Sequence, residues 1–410
     1  MSQAPRGTTL ALFHPHFRTL GGAEILVATQ AQYLKRAGVD LALTALTFDE
    51  RRWQSWFEGI EVRVVPKPPL WERLAHELTR IRRAVPRVEA CLAGARTVMA
   101  CNYPTNVMLG ASSIAARRTW CCTEPSRDLH LAATNPRLHQ RVLANPRGET
   151  DAERDYAVRL KKHGDLAARA AHRDLVAFDV ESTKKIDAIY AISEFARDNV
   201  RRVYDRHDAA IIYPVVRFRN EITPHRAGLD RTGLKVLTHS RLEIPKNVDN
   251  VIRAFALYSS SKHPGAELHV VGQGQHRPSL EALATRLGIA ASVRFHGYLS
   301  DEELARVYAA CDVYALTPLD EPFGMVFPEA AARGLLLVGP DHGGPFEIID
   351  GGRLGWACDP FEPQSMADAF ARIASLDDDE VDERRRLADA ACRARYAEEV
   401  IGPQLVAAIG

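Results

Sequence analysis

Residues 8–48 read TTLALFHPHFRTLGGAEILVATQAQYLKRAGVDLALTALTF, and this stretch decides the fold class. Its first segment, Thr8–His14, is short and apolar, which is typical of a buried strand. After the loop PHFRTLGG, apolar residues recur at helical spacing as far as Gly38, and VDLALTALTF then alternates as a second strand. A strand, a helix and a strand in this order predict a parallel sheet covered by helices.

The same alternation of strands and helices continues to about residue 216. Further strands are predicted in IEVRVVP, TVMACN, RRTWCCTEP, DAIYAIS and AAIIYPVV, the last over Ala209–Val216. The segment EFARDNVRRVY is predicted as a helix with Ser193 as its N-cap, because a serine hydroxyl accepts a hydrogen bond from the exposed amides of a first turn. Residues 217–233 are polar and rich in glycine and proline, which indicates a linker.

After the linker the alternation of strands and helices begins again. Strands are predicted in LKVLTHS, AELHVVGQG, SVRFHG, VYALT, LLLVGP and GWACDP. We therefore expect two doubly wound α/β domains, residues 1–216 and 217–393, that face a central cleft. Residues 377–410 predict one long last helix whose end, about 394–410, packs back on the first domain. Its acidic run, Asp377–Glu380, is interpreted as a solvated helix start rather than a metal site.

The bulk composition argues against several classes of protein. The chain has 410 residues, with 53 lysines and arginines against 52 aspartates and glutamates, so it lacks the basic surplus of a nucleic-acid-binding protein. No apolar run approaches the roughly 18 residues of a spanning helix, and the amino-terminal run is too short for an export signal. The seven cysteines form no C-x-x-C pair, which fits a reducing compartment. We expect a cytoplasmic protein that binds no nucleic acid.

The most informative loop is DEPFGMVFPEAAARG, residues 320–334. Because it follows a predicted strand, Glu321–Phe327 should form the loop at the carboxyl end of that strand. A proline suits the first turn of a helix and a glycine suits its end, so the following helix is predicted to begin at Pro328 and to end at Gly334.

The chemistry of this loop suits a nucleotide sugar. Gly324 lets backbone amides approach a ligand, and the amino terminus of the helix offers unpaired amides to a phosphate. Glu321 and Glu329 can each accept hydrogen bonds from two neighbouring hydroxyls, such as those of a ribose or a hexose. The alternative is that Glu329 is an ordinary acid in a first helical turn and Glu321 an ordinary loop residue.

Two other loops point to the same ligand. Arg241 and Lys246, in THSRLEIPKN, follow the first strand of the second domain and could neutralise a diphosphate, although two solvated surface cations are the alternative. Gly21 and Gly22, in TLGGAE, open a helix where a phosphate or a sugar could approach. The G-x-G that begins at Gly272 is a weak signal when taken alone.

Five segments taken together resemble glycosyltransferase family 4, a family of retaining enzymes. They are GGAE, AISEFARDNV, SRLEIPKN, VRFHGYLSDEELARVYAACDVYALTPLDEPFGMVFPEAAARG and GGPFEIID. The resemblance covers both halves of the chain and is strongest over residues 234–360. It implies the GT-B fold, in which two Rossmann-like domains face each other and the second holds most of the donor. It also implies sugar transfer from a nucleoside diphosphate with retention at the anomeric carbon, without a metal or another cofactor.

The resemblance further implies roles for individual residues. Arg241, Lys246 and Glu321 are the expected catalytic residues, and the two cations would hold the diphosphate and stabilise the leaving group. The other residues expected to contact the donor are Gly21, Gly22, Gly272, His296, Gly297, Tyr298, Phe323, Gly324, Met325, Val326 and Glu329. Within this set Glu329 would bind the ribose hydroxyls, and residues 296–298 would face the base.

The chain departs from the family pattern at one position of the first domain. Many relatives carry a histidine there, in a stretch like C-H-E-P-P-R, and that histidine contacts the donor sugar. This chain reads CCTEPSR, with Thr123 at the position of the histidine. Glu124 and Arg127 from the same stretch, or the nearby His14 or His16, are candidates to replace it. Thr123, Glu124 and Arg127 are therefore included among the expected binding residues.

The sequence thus predicts a retaining hexosyltransferase with GDP-mannose as the first expected donor and a UDP-sugar as the second. The acceptor would be a glycan, a lipid-linked molecule or a small molecule. The alternatives are a nucleotide-sugar isomerase or epimerase of the same shape, and a non-catalytic nucleotide-sugar sensor. In PPLWERLAHELTRIRRAV, Trp71, Leu74 and Leu78 follow helical spacing. This stretch is either an amphipathic helix at the inner face of the membrane or a packing helix with a solvated basic face.

Overall fold

The structure is a computed structural model, in which the chain forms two compact units. It describes residues 9–19, 21–167, 169–218, 228–230, 232–259, 263 and 265–409. The first unit comprises Met1–Asn135, Leu160–Val215 and Glu398–Gly410, and the second unit comprises Pro136–Arg159 and Val216–Ala397. Most of the predicted linker, residues 217–233, lies outside the described residues.

Parallel strands form one sheet in the first unit. Those described are Leu10–Phe17 (β1), Leu41–Phe48 (β2), Glu61–Val64 (β3), Thr97–Cys101 (β4), Arg117–Cys122 (β5), Ala188–Ala191 (β6) and Ala210–Ile211 (β7). They lie in the order β3-β2-β1-β4-β5-β6-β7, and every neighbouring pair is parallel. The order changes direction between β1 and β4, which in an open α/β sheet is the place where ligands bind.

Two strand ends differ from the prediction. β1 continues to Phe17, beyond the predicted end at His14, because its pairing with β2 persists and the buried Phe17 ring packs 5.0 Å from the ring of Trp53. The strand predicted over residues 209–216 is reduced to the two residues of β7. Pro214 explains this difference, since proline cannot donate a backbone hydrogen bond to a sheet.

Helices connect these strands. In chain order they are Gly22–Arg36 (α1), Glu50–Trp53 (α2), Leu70–Arg73 (α3), Glu77–Leu92 (α4), Thr105–Ala111 (α5), Leu131–Thr134 (α6), Pro136–Ala144 (α7), Asp151–Ala167 (α8), Ala170–Thr183 (α9) and Glu194–Tyr204 (α10). A 3-10 turn, Gln54–Phe57, follows α2. The predicted N-cap of α10 is confirmed, because the hydroxyl of Ser193 accepts a hydrogen bond from the amide of Ala196 at 2.9 Å.

The main core of the first unit lies between the sheet and the helices α4, α5 and α9. Val98 on β4 and Trp120 on β5 are fully buried, and Val88 and Leu109 pack onto them from the helix side. Buried apolar area of this kind supplies most of the free energy that holds strands and helices together. This packing fixes the carboxyl ends of β4 and β5, where several of the predicted site residues lie.

The segment 136–159, which holds α7 and the beginning of α8, packs with the second unit, although the sequence-based division placed it in the first domain. Arg137 forms ion pairs with Asp341 and, at 3.1 Å, with Asp359. The guanidinium of Arg141 lies 4.4 Å from the centre of the Phe361 ring. Periodicity does not reveal such contacts, because they join residues some 200 positions apart.

The second unit has its own parallel sheet. The described strands are Lys235–His239 (β8), Glu267–Val271 (β9), Val293–Gly297 (β10), Val313–Ala315 (β11), Leu336–Pro340 (β12) and Trp356–Cys358 (β13), and they lie in the order β10-β9-β8-β11-β12-β13. The helices are Val248–Ser259 (α11), Arg277–Arg286 (α12), Asp301–Ala310 (α13), Val326–Ala332 (α14), Gly344–Ile348 (α15), Pro363–Ala374 (α16) and Asp378–Tyr396 (α17). Short 3-10 turns lie at Ile244–Lys246, Ala290–Ser292 and Asp350–Gly352. The prediction of two Rossmann-like α/β domains is confirmed.

The end of the chain forms two helices rather than the single helix that was predicted. Asp377 caps α17 in a capping box with Glu380, so the acidic run is a helix start, as the sequence indicated. Ala397 is extended, and a separate helix, Glu398–Ile409 (α18), follows in the first unit. The hydroxyl of Thr97 on β4 donates to the carbonyl of Ile409 at 3.1 Å. No helix in the described part of the chain has both the length and the apolar character needed to cross a membrane.

Candidate functional site

In the second unit the strand order changes direction between β8 and β11, and the loops after these strands lie side by side at one edge of the sheet. The loop after β8, residues 240–247, includes Arg241 and Lys246. The loop after β11, residues 316–325, includes Glu321. The topology therefore brings the predicted cations and one predicted carboxylate to the edge where ligands of such sheets bind.

Lys246 and Glu321 form an ion pair at this edge. The Nζ atom of Lys246 donates to Oε2 of Glu321 at 2.6 Å, and the two side chains are 25% and 20% exposed. An ammonium group that is partly shielded from water interacts more strongly with a neighbouring anion than a fully solvated one does. The structure thus brings together the lysine predicted to hold the diphosphate and the glutamate predicted to contact the sugar.

A buried asparagine holds the loop of Lys246 in place. Asn247 follows the short 3-10 turn and adopts the left-handed conformation, with φ of 57°. Its side-chain amide donates to the carbonyls of Thr317 at 3.0 Å and Pro360 at 2.7 Å, so it ties three loops of the sheet edge together. Sequence reasoning missed this residue. The available signal was an asparagine directly after a turn, since asparagine tolerates positive φ better than most residues.

Arg241 lies on the same loop but has a different partner. Its guanidinium donates to Oε1 of Glu243 at 3.0 Å, and its side chain is 62% exposed. The structure therefore places Arg241 at the sheet edge without bringing it into contact with Lys246 or Glu321. Its role in binding the diphosphate stays a prediction.

Two glycines of the GGPFEIID motif shape the loop that carries Glu321. The amide of Gly344 donates to the carbonyl of Glu321 at 2.8 Å, and a Cβ atom on Gly344 would overlap the carbonyl of Pro322. Gly343 has φ of 79° and Gly324 has φ of 90°, a region that favours glycine. Gly343 and Gly344 are needed because their backbone packs directly on that of residues 321–323.

The helix after this loop begins two residues earlier than predicted. α14 starts at Val326 with Met325 as its N-cap, and Pro328 is its third residue. Phe327 is buried against Tyr314, at 5.1 Å between ring centroids. This packing stabilises a helical conformation before the proline. Because α14 has only seven residues, its dipole is short, and the fixed positive charge at this edge comes mainly from Lys246.

The second predicted carboxylate, Glu329, lies on α14 and is half-buried. Burial raises the pKa of Tyr314, and the charges of Tyr308, Glu329 and Glu321 add to this shift. The negative charges of Glu321 and Glu329 therefore both raise the pKa of the same buried tyrosine. By contrast the ring of Phe323 packs in the core, so only its backbone is available to a ligand.

Gly272 is required by packing in the structure. Its φ is 127°, and a Cβ atom there would overlap the carbonyl of Ser240 in the loop after β8. Its amide donates to the carbonyl of Gly297 at 2.9 Å. Gly272 therefore supports the loop that carries Arg241, and this packing accounts for a glycine that the sequence offered as a ligand contact.

The residues predicted to face the base lie at the end of β10. The ring of His296 stacks on that of His269, at 5.2 Å between centroids, with 3.0 Å between the two nearest ring nitrogens. Burial lowers the pKa of both histidines, and in His269 the charge of His296 adds to it. Tyr298 is 75% exposed. A stacked neutral imidazole pair beside an exposed aromatic ring offers flat surfaces of the kind on which a base can lie.

In the first unit, Gly21 and Gly22 stand at the start of α1 and differ from each other. Gly21 is the N-cap, and a Cβ atom there would overlap the carboxylate of Glu24. A Cβ atom on Gly22 would meet no described atom within 4 Å. Packing against the described residues therefore gives no reason for glycine at position 22, and the approach of a ligand there stays a prediction.

Three polar residues, one within β1 and the others directly after β4 and β5, lie close together. The hydroxyl of Thr123 donates to Oδ1 of Asn102, and Nδ2 of Asn102 lies 3.3 Å from Nε2 of His14. Asn102 has φ of 68° and was missed by the sequence reasoning, although a polar residue directly after a buried strand was a usable signal. The structure thus connects Thr123, which stands where the resemblance leads us to expect a histidine, to His14 through one asparagine.

His14 is almost completely buried, and burial together with the charge of His16 lowers its pKa to about 3. Its imidazole is therefore neutral at physiological pH and can exchange hydrogen bonds without adding charge. Glu124 and Arg127, the other candidates in this stretch, form an ion pair with each other at 2.5 Å. Of the four candidates, His14 is the one that the structure joins to Thr123.

Comparison with known proteins supports the fold. Residues 220–393 match the family model described as Glycosyl transferases group 1. A D-inositol 3-phosphate glycosyltransferase of Thermomonospora curvata is 28% identical over 404 residues, which cover 94% of this chain and 89% of the relative. A mannosylfructose-phosphate synthase of Agrobacterium fabrum is 29% identical over 190 residues, 44% of this chain and 41% of the relative.

The chain spans between 32% and 55% of the length of five curated relatives that it matches, the Agrobacterium protein included. Among solved structures, Anabaena Alr3699/HepE in complex with UDP and glucose superposes with a TM-score of 0.70 at 19% identity, covering 98% of this chain and 99% of the other. At this level of identity the likeness shows the fold, which is that of the GT-B glycosyltransferases.

Proposed function

We propose that this chain, whose residues 220–393 match the Glycosyl transferases group 1 model, is a retaining and metal-independent hexosyltransferase. It moves a hexose from a nucleoside diphosphate to a glycan, a lipid-linked molecule or a small molecule. The observation that carries the proposal is the ion pair of Lys246 and Glu321 at the edge where the strand order reverses. A cation for phosphate and a carboxylate for hydroxyls, held 2.6 Å apart, match the two parts of a sugar diphosphate.

The reaction needs stabilisation of the negative charge that develops on the departing nucleoside diphosphate. Lys246, already fixed by the turn that Asn247 holds, supplies one positive charge there, and Arg241 supplies a second when it leaves Glu243 for the diphosphate. Charges that are positioned in advance stabilise such a leaving group without reorganisation at the moment of reaction. Glu321 and the amides of residues 323–326 contact the transferred sugar.

The remaining predicted residues complete the donor contacts. Glu329 accepts hydrogen bonds from the ribose, and the base lies against His296 and Tyr298. From the first unit, Gly22 admits the diphosphate or the sugar, and the group of His14, Asn102 and Thr123 supplies the hydroxyl contact that the family's histidine makes elsewhere. This proposal rests on the hydrogen bonds from Thr123 to Asn102 and from there to His14.

The two donors to compare are GDP-mannose, which the sequence motifs favour, and UDP-glucose. UDP-glucose represents the second expected donor class, and Anabaena Alr3699/HepE, a structural neighbour, was crystallised with it. The isomerase and sensor alternatives gain no support from the loops described above. Product analysis separates all three functions, since only a transferase joins the labelled hexose to an acceptor.

The test is turnover with each labelled donor and a panel of sugar, sugar-phosphate and lipid-phosphate acceptors. We expect Lys246→Ala and Glu321→Ala to lower transfer by roughly 10²–10³-fold, as is usual when a group that stabilises transition-state charge is removed. Lys185→Ala, at an exposed lysine elsewhere, is the matched control and should retain full transfer. Transfer should also persist in EDTA. Release of an isomerised sugar nucleotide without an acceptor, or equal turnover of Lys246→Ala and wild type, would contradict the proposal.

A further inference from the structure

The first unit contains a cavity of about 530 Å³ that the donor contacts do not use. It lies at the carboxyl edge of the sheet, next to the ends of the strands β1, β2 and β3. His16, Thr47 and Val65 line it from these strand ends, and Tyr103 lines it from the turn after β4. Its volume falls within the range of about 300–1,000 Å³ that small-molecule sites occupy.

Positive charge dominates the wall of this cavity. Five of its lining residues are cationic, namely Arg18, Lys67, Arg73, Arg80 and Arg87, whereas only Glu72 and Glu77 are acidic. The surplus of three positive charges lies within one small volume, so their fields add and favour an anionic ligand.

The two carboxylates of the wall are already occupied by partners within it. Arg87 holds the buried Glu72 with two hydrogen bonds, at 2.8 and 3.1 Å. Glu77 accepts a hydrogen bond from the hydroxyl of Tyr103 at 2.9 Å.

The positive charge that remains is available to a ligand. In the described part of the chain, the side chains of Lys67, Arg73 and Arg80 form no hydrogen bond or ion pair. Three such cations around a cavity are the arrangement that a phosphate or diphosphate group would neutralise.

Next to this cavity in the chain lies an exposed apolar group, Leu70, Trp71 and Leu74, which we call the apolar rim. Leu70, Trp71 and Leu74 belong to the same short segment as the lining residues Lys67 and Arg73, and they are 69%, 63% and 82% exposed. Three large apolar side chains exposed within five residues are the kind of feature that marks an interaction surface in a folded protein. Tryptophan and leucine flanked by lysine and arginine are typical of a surface that enters the interface of an anionic bilayer.

The structure also corrects the sequence-based view of this segment. The predicted amphipathic stretch is divided into α3 and α4, and His76 is the N-cap of α4. Leu78 is buried in the core, so it does not belong to the exposed surface. The exposed apolar group therefore lies on and directly after α3, beside the cationic cavity, rather than along one face of a long helix.

We propose that this cavity is the acceptor site and binds the phosphate-bearing headgroup of a lipid acceptor, while the apolar rim rests in the bilayer that holds the lipid chain. The inference rests on the proposed transferase function and names the chemical class of its acceptor. It explains why unpaired cations and exposed apolar side chains occur in one segment. A headgroup in the cavity places its phosphate near Lys67 and Arg80, and Leu74 and Trp71 then contact the lipid.

Flotation with vesicles tests this inference with the full chain. The probes are vesicles of phosphatidylcholine alone and of phosphatidylcholine with a minor fraction of phosphatidic acid, and sn-glycerol 3-phosphate is the probe without a lipid chain. We expect the wild type to bind the vesicles that contain phosphatidic acid and to bind less as salt concentration rises. Lys67→Gln with Arg80→Gln should weaken this binding by about fivefold for each removed charge. Trp71→Ser with Leu74→Ser should abolish it.

Leu387→Ser, at an exposed leucine of α17, is the matched control for the apolar substitutions and should bind like wild type. Equal binding to both kinds of vesicle would overturn the phosphate part of the inference. Binding of glycerol 3-phosphate together with failure to bind vesicles would overturn the lipid part, and so would unchanged binding by the Trp71 and Leu74 variant.

Thermal shifts of the wild type with UDP and GDP separate this inference from the proposed function. A nucleotide that raises the melting temperature while the vesicles fail to bind would count against the lipid acceptor alone. Absence of a shift with either nucleotide would count against the transferase itself.

Discussion

At the scale of single residues, the glycines near the candidate site divide into two kinds. Gly272 and Gly344 stand where one backbone segment packs on another, and a Cβ atom on either would overlap a carbonyl oxygen. Gly22 has open space in the direction of a Cβ atom. The sequence alone could not separate these cases, because it shows the residue type but not what lies opposite.

This difference gives a paired prediction. Gly344→Ala should lower the free energy of unfolding by about 1–3 kcal/mol or more, because its Cβ atom would force the loop of Glu321 to move. Gly22→Ala should leave the free energy of unfolding within about 0.5 kcal/mol of wild type and still reduce the apparent affinity for the donor. Urea unfolding and donor kinetics on the two variants provide the measurement. If Gly22→Ala transfers sugar like wild type, the proposed approach of the donor at this glycine is wrong.

The buried imidazole of His14 predicts a pH dependence of stability. Its pKa is about 3 in the folded chain against 6.5 in the unfolded chain, since burial and the charge of His16 disfavour the protonated form. The contribution of the neutral, buried His14 to the free energy of unfolding is therefore fully present above pH 6.5. It is lost as pH falls towards 3, at about 1.4 kcal/mol per pH unit in the middle of this window, because only the unfolded chain takes up the proton.

The measurement is the free energy of unfolding of wild type and His14→Gln between pH 7 and pH 4. The difference between the two proteins should shrink as the pH falls, because glutamine has no proton to bind. Parallel curves would show that His14 titrates normally and is not buried as described.

At the scale of elements, the strands of both sheets were predictable because buried parallel strands are short apolar runs between turn residues. Element ends were less predictable where tertiary contacts decided them. Phe327 draws the start of α14 ahead of Pro328, and the packing of Phe17 prolongs β1 beyond His14. The break at Ala397 between α17 and α18 likewise has no strong local signal, since neither glycine nor proline stands there.

The loop after β8 carries a prediction of its own. Asn247→Ala removes two buried hydrogen bonds and places alanine at φ of 57°, so it should lower the free energy of unfolding by about 2–4 kcal/mol and weaken donor binding through displacement of Lys246. Asn247→Gly keeps the backbone conformation and should lose the hydrogen bonds only. Calorimetry and donor titration compare the two variants.

The matched control is Asp205→Ala, a left-handed residue at the exposed end of α10. It should show a modest loss of stability and normal donor binding. Donor affinity that is unchanged in Asn247→Ala would mean that this loop does not position Lys246.

At the scale of the whole molecule, the sequence predicted two Rossmann-like domains, with the candidate site residues in loops at the carboxyl edges of the sheets. The two-domain prediction is confirmed, and topology alone places the loops after β8 and β11 together. The packing of residues 136–159 with the second unit could not be predicted, since it depends on ion pairs such as that of Arg137 with Asp341. The contact of His14 with Asn102 was equally hidden, as 88 positions separate the two residues.

The central claim is that the loops after β8 and β11 hold the diphosphate of the donor. A crystal structure of the full chain with bound UDP or GDP tests it most directly. We expect the diphosphate oxygens within hydrogen-bond distance of Lys246, with the ribose hydroxyls facing Glu329. A nucleotide bound at another edge of the molecule, with the pair of Lys246 and Glu321 undisturbed, would contradict the account.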